Sequence, residues 1–246
     1  MATRTEHPLA VHSRVRAASA TYGHVIDHRR LRALGVTRWQ ARAQVDAGRW
    51  VRLGRQTFAT APGQLGEHAA RWRAVWEAGE RIALVDGVSA LQAQGLKGWS
   101  EETVHISAVH NHNVSRIQGV SVHKVARRVE GERRGTGLPC TQPAVAAVRA
   151  AHWAVSDRQA ATLMAMTVQQ RLATGQQLLA AVARVRGRSR RAFIHRIALD
   201  VADGAHALGE LEFAAACRRR GMPEPTRQSL RRLSATHAYL DVFFEE

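Results

Sequence analysis

The sequence lacks the residues that mark several common protein classes. Its two cysteines, Cys140 and Cys217, lie far apart and form no Cys-x-x-Cys pair. They provide neither a disulfide framework nor a zinc knuckle, which fits a reducing compartment, so we expect two small, partly buried apolar residues. No run approaches the ~18 apolar residues of a membrane span, and no signal peptide opens the sequence. We therefore expect a cytoplasmic protein with no membrane partner.

Lysine and acidic residues are also scarce. The formal net charge is +16, from 36 Lys and Arg residues against 20 Asp and Glu residues, and only Lys97 and Lys124 are lysines. A GC-rich genome inflates arginine content, but it does not explain so large an excess over the acids. Guanidinium groups match phosphate oxygens in pairs, so the composition favours a nucleic acid as partner. Charge alone leaves both DNA and RNA open.

Apolar residues are abundant enough for packed cores. They make up 45% of 246 residues, so disorder is not expected, and the length suits one large domain or two to three small ones. The first ten residues form a short polar segment, which we expect to be frayed.

The pattern of the first sixty residues predicts three helices followed by a β-hairpin, with a short turn between the second and third helices. Capping residues precede the apolar positions, glycines follow them, and the last stretch alternates around a Gly54-Arg55 turn. The predicted boundaries are 12–20 for the first helix, 24–26 for an extended link, Asp27 and Thr37 as N-caps, Gly35 and Gly48 as helix ends, and 49–60 for the hairpin.

The helix over 37–47 is the predicted reading helix. Ala41 and Val45 are expected to face inward, which leaves glutamine and arginine side chains for adenine and guanine edges. Arginines of the hairpin are spaced to meet phosphates. A solvated amphipathic helix pair is the alternative. The predicted DNA contacts are Arg38, Gln40, Arg42 and Gln44 in the helix, and Arg49, Arg52 and Arg55 in the hairpin.

Residues 20–60 resemble, without gaps, the N-terminal domain of AbiEi-type antitoxins of type IV toxin–antitoxin systems. The resemblance includes a Gly-x-Trp-x-x-Leu-type hairpin formed by Gly48, Trp50 and Leu53. It implies a winged helix-turn-helix that binds operator DNA. It also implies a transcriptional regulator and, at operon level, a cognate nucleotidyltransferase-like toxin as partner.

The middle of the chain is predicted to be a small α/β layer that serves as scaffold. An amphipathic helix over 67–79 is followed by a strand and a helix over 83–96. Residues 102–109 and 119–129 alternate as two strands of a hairpin. Four histidines cluster near this hairpin, but no cysteine or carboxylate accompanies them at ligand spacing, so we expect no metal site. They are His105, His110, His112 and His123.

Residues 142–199 are predicted to be helical, because apolar residues recur every three to four positions. Ser156 with Asp157, and Thr174 with Gly175, separate the helices. An arginine run within this region lines a nucleic-acid path or forms a solvated face. It comprises Arg184, Arg186, Arg188, Arg190 and Arg191.

The last segment, 204–246, is predicted to be a helix with acids at its start, a turn and a strand. It resembles the opening of a Vsr-like endonuclease of the PD-(D/E)XK superfamily, with 220–228 as the helix-to-strand turn. The resemblance places the catalytic carboxylates at Glu210 and Asp241, which would bind Mg²⁺ to activate a water for phosphodiester hydrolysis. Relatives often have a serine where this chain has Ala207.

The resemblance also implies a further strand with a second acid in a V-E-x-D-G-like stretch, which this sequence does not contain. We therefore expect a truncated, inactive nuclease-like end, and a DNA-binding regulator rather than an enzyme. There are two alternatives: a Mg²⁺-dependent endonuclease, and a module that neutralises a toxin without touching nucleic acid. The expected fold is α+β, with a winged helix at 12–60, an α/β layer at 64–140, a helical segment at 141–200 and a partial endonuclease-like domain at 203–246.

Overall fold

The chain folds into an α+β protein, as its sequence predicts. The computed structural model describes residues 7–187, 189–203, 217 and 220–222, together with the backbone of 226–232 and 237–243. The backbone contacts group the chain into two compact units that do not follow chain order. The first unit comprises 1–85, 101–127 and 134–140, and the second unit comprises 86–100, 128–133 and 141–246.

Three helices and a three-stranded antiparallel sheet form the beginning of the first unit. The elements are α1 (Pro8–Ser19), β1 (Val25–Asp27), α2 (His28–Ala33), α3 (Arg38–Asp46), β2 (Val51–Arg52) and β3 (Thr57–Ala59). The strand order is β1-β3-β2, and Phe58 of the central strand lies opposite both Ile26 and Arg52.

Local capping chemistry fixes the ends of α2 and α3, and the predicted caps are confirmed. The Asp27 carboxylate accepts a hydrogen bond from the backbone N–H of Arg30 at 2.9 Å. Thr37 and Gln40 form a capping box, in which each side chain accepts from the other residue's backbone N–H. Gly35 and Gly48 have φ values of +72° and +69°, a left-handed conformation in which glycine avoids a Cβ clash.

The first helix begins earlier than the sequence indicated. Residues 8–10, expected to be frayed, form the first turn of α1, because His7 caps the backbone N–H of Leu9 and Pro8 occupies the first helical position. The longer helix buries Val11 and Val15 completely. They belong to an apolar core that also contains Ile26, Leu31, Val36, Ala41, Trp50 and Phe58.

A helix and a second sheet complete the first unit. The predicted amphipathic helix is α4 (Glu67–Ala78), which is followed by β4 (Ala83–Val85). The predicted hairpin is wrong, because β5 (Val104–Val109) and β6 (Val120–Val125) pair in parallel. The ten residues between the two strands can span the length of a six-residue strand, so the chain can return to the start of β5 and pair in parallel. Alternation alone therefore could not predict the relative direction of the strands.

Five helices lie in the described part of the second unit. The helix predicted after the strand at 83 is confirmed, as are the caps at Ser156 and Thr174. Of the predicted arginine run, Arg184 ends one helix, Arg191 begins the next, and Arg190 between them has a left-handed conformation. Arg188 lies outside the described residues. The helices are α5 (Gly87–Ala93), α6 (Pro143–Trp153), α7 (Asp157–Gln169), α8 (Gly175–Arg184) and α9 (Arg191–Ala202).

The end of the chain contains one strand more than the sequence predicted. Strand β7 (Thr226–Arg232) pairs antiparallel with β8 (His237–Phe243). The expected turn over 220–228 therefore includes the start of a strand. Only Leu230 of β7 is apolar, so the alternation that identifies a strand is absent. Among the described residues, no helix is long and apolar enough to cross a membrane.

Candidate nucleic-acid interface

An open groove of about 940 Å³ lies between α2, α3 and the hairpin of β2 and β3. Its floor is the edge of the apolar core, including Leu31, Ala41 and Phe58. Its walls carry four arginines and a histidine, and the one acid among the lining residues is Asp46. The basic side chains are His28, Arg32, Arg38, Arg42 and Arg52.

Three of the predicted contacts meet along this groove. Arg38 and Arg42 are exposed on α3, and Arg52 is exposed on β2. Arg42 donates from Nε to both carboxylate oxygens of Asp46, at 2.9 and 3.1 Å, and its side chain is 73% exposed. Such an exposed pair is weak, so Arg42 can exchange Asp46 for another acceptor at small cost.

Gln44 does not face solvent, contrary to the sequence prediction. It is 1% exposed, and its Nε2 donates to the carbonyl oxygen of Pro8 at 2.8 Å. Gln44 lies three residues after the buried Ala41, on the face of α3 that packs against α1. The prediction missed this partner because it placed the start of the first helix at residue 12, beyond Pro8.

Gln40 and Arg49 are also held by local hydrogen bonds. The Gln40 Oε1 accepts from the backbone N–H of Thr37 at 2.9 Å, so this amide stabilises the start of α3. The half-buried Arg49 donates from Nε to Oε1 of Gln44 at 2.6 Å. Neither residue lines the groove that contains Arg38, Arg42 and Arg52. Their role in binding DNA stays a prediction.

The hairpin turn is held by a carboxylate from α4. Glu77 accepts from the backbone N–H groups of Arg55 and Gln56, both at 2.9 Å, and from the Thr57 hydroxyl at 2.6 Å. Gly54 approaches so closely that a Cβ built there would lie 2.4 Å from a Glu77 oxygen. The fifth predicted arginine, Arg55, is therefore presented from a turn whose backbone is fixed.

Arg30 joins α2 to α4. Its guanidinium lies 4.4 Å from the centre of the Trp76 ring and hydrogen-bonds Glu80 at 3.1 Å. Burial alone would lower the pKa of Arg30, but the hydrogen bonds to Glu80 and Tyr22 and the nearby carboxylates raise it above its ordinary value. The first sixty residues thus share an aromatic cluster with α4.

Sequence reasoning missed three residues of this surface. His28 and Arg32 are four residues apart on α2 and line the groove. Burial, followed by the charges of Arg52 and Arg32, lowers the pKa of His28, so the groove contains a neutral imidazole at neutral pH. Trp39 is 78% exposed on α3 beside Arg38. In the sequence, a tryptophan next to Arg38, in a helix whose inward positions were assigned to Ala41 and Val45, was the signal that could have identified it.

Of the two predicted catalytic acids, Asp241 alone lies in the described part of the chain. Glu210 lies outside the described residues. Asp241 is in β8, between Leu240 and Val242, which pair with Ser229 and Arg227. Among the described residues, no group of three or more His, Cys, Asp or Glu side chains is arranged to hold a metal ion.

Two of the four clustered histidines touch. The Nδ1 of His105 and the Nε2 of His123 are 2.8 Å apart, with the rings nearly parallel on adjacent strands. Burial, and then the charge of His105, lowers the pKa of His123 to about 4. Glu101 lies 3.8 Å from the other side of His105.

The chain matches no protein-family model and no curated protein. Among solved structures it is similar to the RV2827C protein from Mycobacterium tuberculosis, at 16% identity and a TM-score of 0.49, over 82% of this chain and 80% of that chain. A TM-score under 0.5 does not establish a common fold, so this likeness carries no argument about function.

Proposed function

We propose that this protein binds duplex DNA through a winged helix-turn-helix in its first unit. In the proposal, α3 is the reading helix, the hairpin of β2 and β3 is the wing, and the protein is a transcriptional regulator like the AbiEi-type antitoxins. The observation that supports it is the groove in which Arg32, Arg38, Arg42 and Arg52 face a single acid, Asp46. Clustered arginines favour a phosphate backbone, and α3 is of a size that enters a major groove.

The described geometry also limits which side chains read sequence. Arg42 is exposed and is paired only within α3, so it can form paired hydrogen bonds with a guanine edge. Gln44 is buried and Gln40 completes a capping box, which leaves Arg38, Trp39 and Arg42 as the candidates of α3.

The proposal is tested by a gel shift with duplex DNA from upstream of the protein's own gene, at low salt. Arg42→Ala is expected to weaken the preference for that DNA over unrelated duplex by about 1–3 kcal/mol. Arg52→Ala is expected to weaken binding to both duplexes alike, because a phosphate contact carries no sequence information. Absence of any retardation of the wild-type protein would contradict the proposal.

Point variants are preferable here to deletion of the first sixty residues. Such a deletion would remove Tyr22 and Arg30 from the cluster with Trp72 and Trp76, and the hairpin from its contact with Glu77. Loss of binding could then result from an unfolded first unit. Arg42 and Arg52 are exposed, so their replacement leaves the core intact.

A further inference from the structure

A second basic pocket lies on the other side of the hairpin turn, within the first unit. Its volume is about 380 Å³, and it is enclosed by residues 53–56 of the turn, by α4 and by the loop 113–118. Three arginines line it, each from a different segment: Arg55 from the turn, Arg73 from α4 and Arg116 from the loop.

The charge of this pocket is largely uncompensated. Glu77 is the one acid among the lining residues, and its oxygens accept from the Arg55 and Gln56 backbone and from the Thr57 hydroxyl. Among the described residues, no ion pair joins a carboxylate to any of the three guanidinium groups. The pocket therefore carries three cations against one acid that is already engaged.

Arg73 shows that the pocket has unused hydrogen-bonding capacity. One terminal nitrogen donates to the carbonyl oxygen of Gln118 at 3.0 Å, while its Nε is buried and has no hydrogen-bond partner in the described structure. A buried donor left without an acceptor is unfavourable, and a bound oxyanion could supply that acceptor. The exposed Asn113 and Ser115 add neutral hydrogen-bonding groups to the same pocket.

We infer that this pocket binds a backbone phosphate of the duplex that the groove binds, and this inference rests on the proposed function. Arg52 of the groove precedes the hairpin turn, and Arg55 of the pocket lies within it. A polyanion bound at Arg52 is therefore close to Arg55. Guanidinium groups from three segments suit the tetrahedral oxygens of a phosphate. The surface that binds DNA thus extends beyond the first sixty residues, to α4 and the loop 113–118.

The test uses Arg116→Ala in the full chain, because Arg116 is exposed on a loop and its removal leaves the core unchanged. Binding to a 25-base-pair duplex is measured by fluorescence anisotropy between about 50 and 200 mM salt. Loss of one phosphate contact is expected to lower the slope of log K against log salt by about 0.9, for every sequence tested. Arg116→Lys should restore most of the slope, and Arg196→Ala in the second unit is the charge-matched control.

A series of duplexes, each with one neutral methylphosphonate linkage, identifies the phosphate. At one position, the neutral linkage is expected to lower the DNA affinity of the wild-type protein about three- to tenfold. The same linkage is expected to leave the affinity of the Arg116→Ala variant almost unchanged. If Arg52→Ala weakens binding while Arg116→Ala matches the wild type in affinity and slope, this inference is overturned and the proposed function stands. If the wild-type protein binds no duplex, both are overturned.

Discussion

An open groove in the first unit and a buried network in the second unit use arginine in opposite ways. In the first unit, Arg38, Arg42 and Arg52 are exposed around a groove with a single acid. In the second unit, Arg149 is 3% exposed and donates at 2.6 Å to both Asp86 and Glu132, which are themselves buried. The number of arginines therefore does not measure how much positive surface a protein offers, because some of them are paired with acids in its interior.

The buried network of the second unit has the geometry of a structural ion cluster. Asp86 also accepts from the backbone N–H of Gly87, and Glu132 from Arg128 and from the backbone N–H of Val129. Burial lowers the pKa of Arg149, but the two carboxylates more than offset this and raise it. The cluster joins the start of α5, the segment 128–133 and α6.

Removing the central cation is the strongest way to test this contrast. Arg149→Met is expected to lower the free energy of unfolding by about 3–5 kcal/mol, because Asp86 and Glu132 would remain buried without their counter-ion. Arg190→Ala, which breaks the more exposed pair with Asp157, is expected to cost less than about 1 kcal/mol. Urea denaturation measures both. Equal losses of unfolding free energy in the two variants would contradict the claim that the buried network stabilises the fold more than an exposed ion pair does.

Acid is expected to weaken the first unit through His123. The folded-state pKa of about 4 lies below the unfolded value, so the unfolded chain binds more protons between about pH 4 and 6.5. His123 is neutral in both states above pH 6.5 and costs no stability there. As the pH falls toward 4, the free energy of unfolding decreases, by at most about 3.4 kcal/mol. Urea denaturation at several pH values measures this loss.

The variant His123→Gln isolates that contribution from the other histidines. It removes the titrating group while keeping a polar side chain beside His105. We expect its unfolding free energy to change less than that of the wild type between pH 7 and 4.5. The same pH dependence in both proteins would contradict the assignment to His123.

Local chemistry was predictable from the sequence, and tertiary partners were not. Asp27, Thr37 and the glycines that follow α2 and α3 act within one turn of the chain, so their residue types predict the helix ends. Gln44 faces inward because of Pro8, a partner 36 residues away. The fixed backbone at Arg55 could not be predicted for the same reason. It depends on Glu77, which lies on a helix that the sequence indicated only as scaffold.

Sheet pairing shows the same limit. Alternation predicts strands over 102–109 and 119–129, but the parallel direction of β5 and β6 depends on the path of the residues between them. Strand β7 has a single apolar residue and gives no such signal. The DNA-contact residues stay predictions, since exposure and charge show where a polyanion can bind and not that one does.

The central claim is that the groove of the first unit, and not the overall arginine content, binds DNA. Two triple variants remove equal charge: Arg38, Arg42 and Arg52 to alanine in the groove, or the exposed Arg186, Arg191 and Arg196 to alanine in the second unit. Anisotropy with one labelled duplex, across a salt series, compares them. The groove variant is predicted to lower the salt slope by about 0.9, through loss of the Arg52 phosphate contact, and to lose most of its affinity, while the other stays close to the wild type. Equal losses in the two variants would contradict the account.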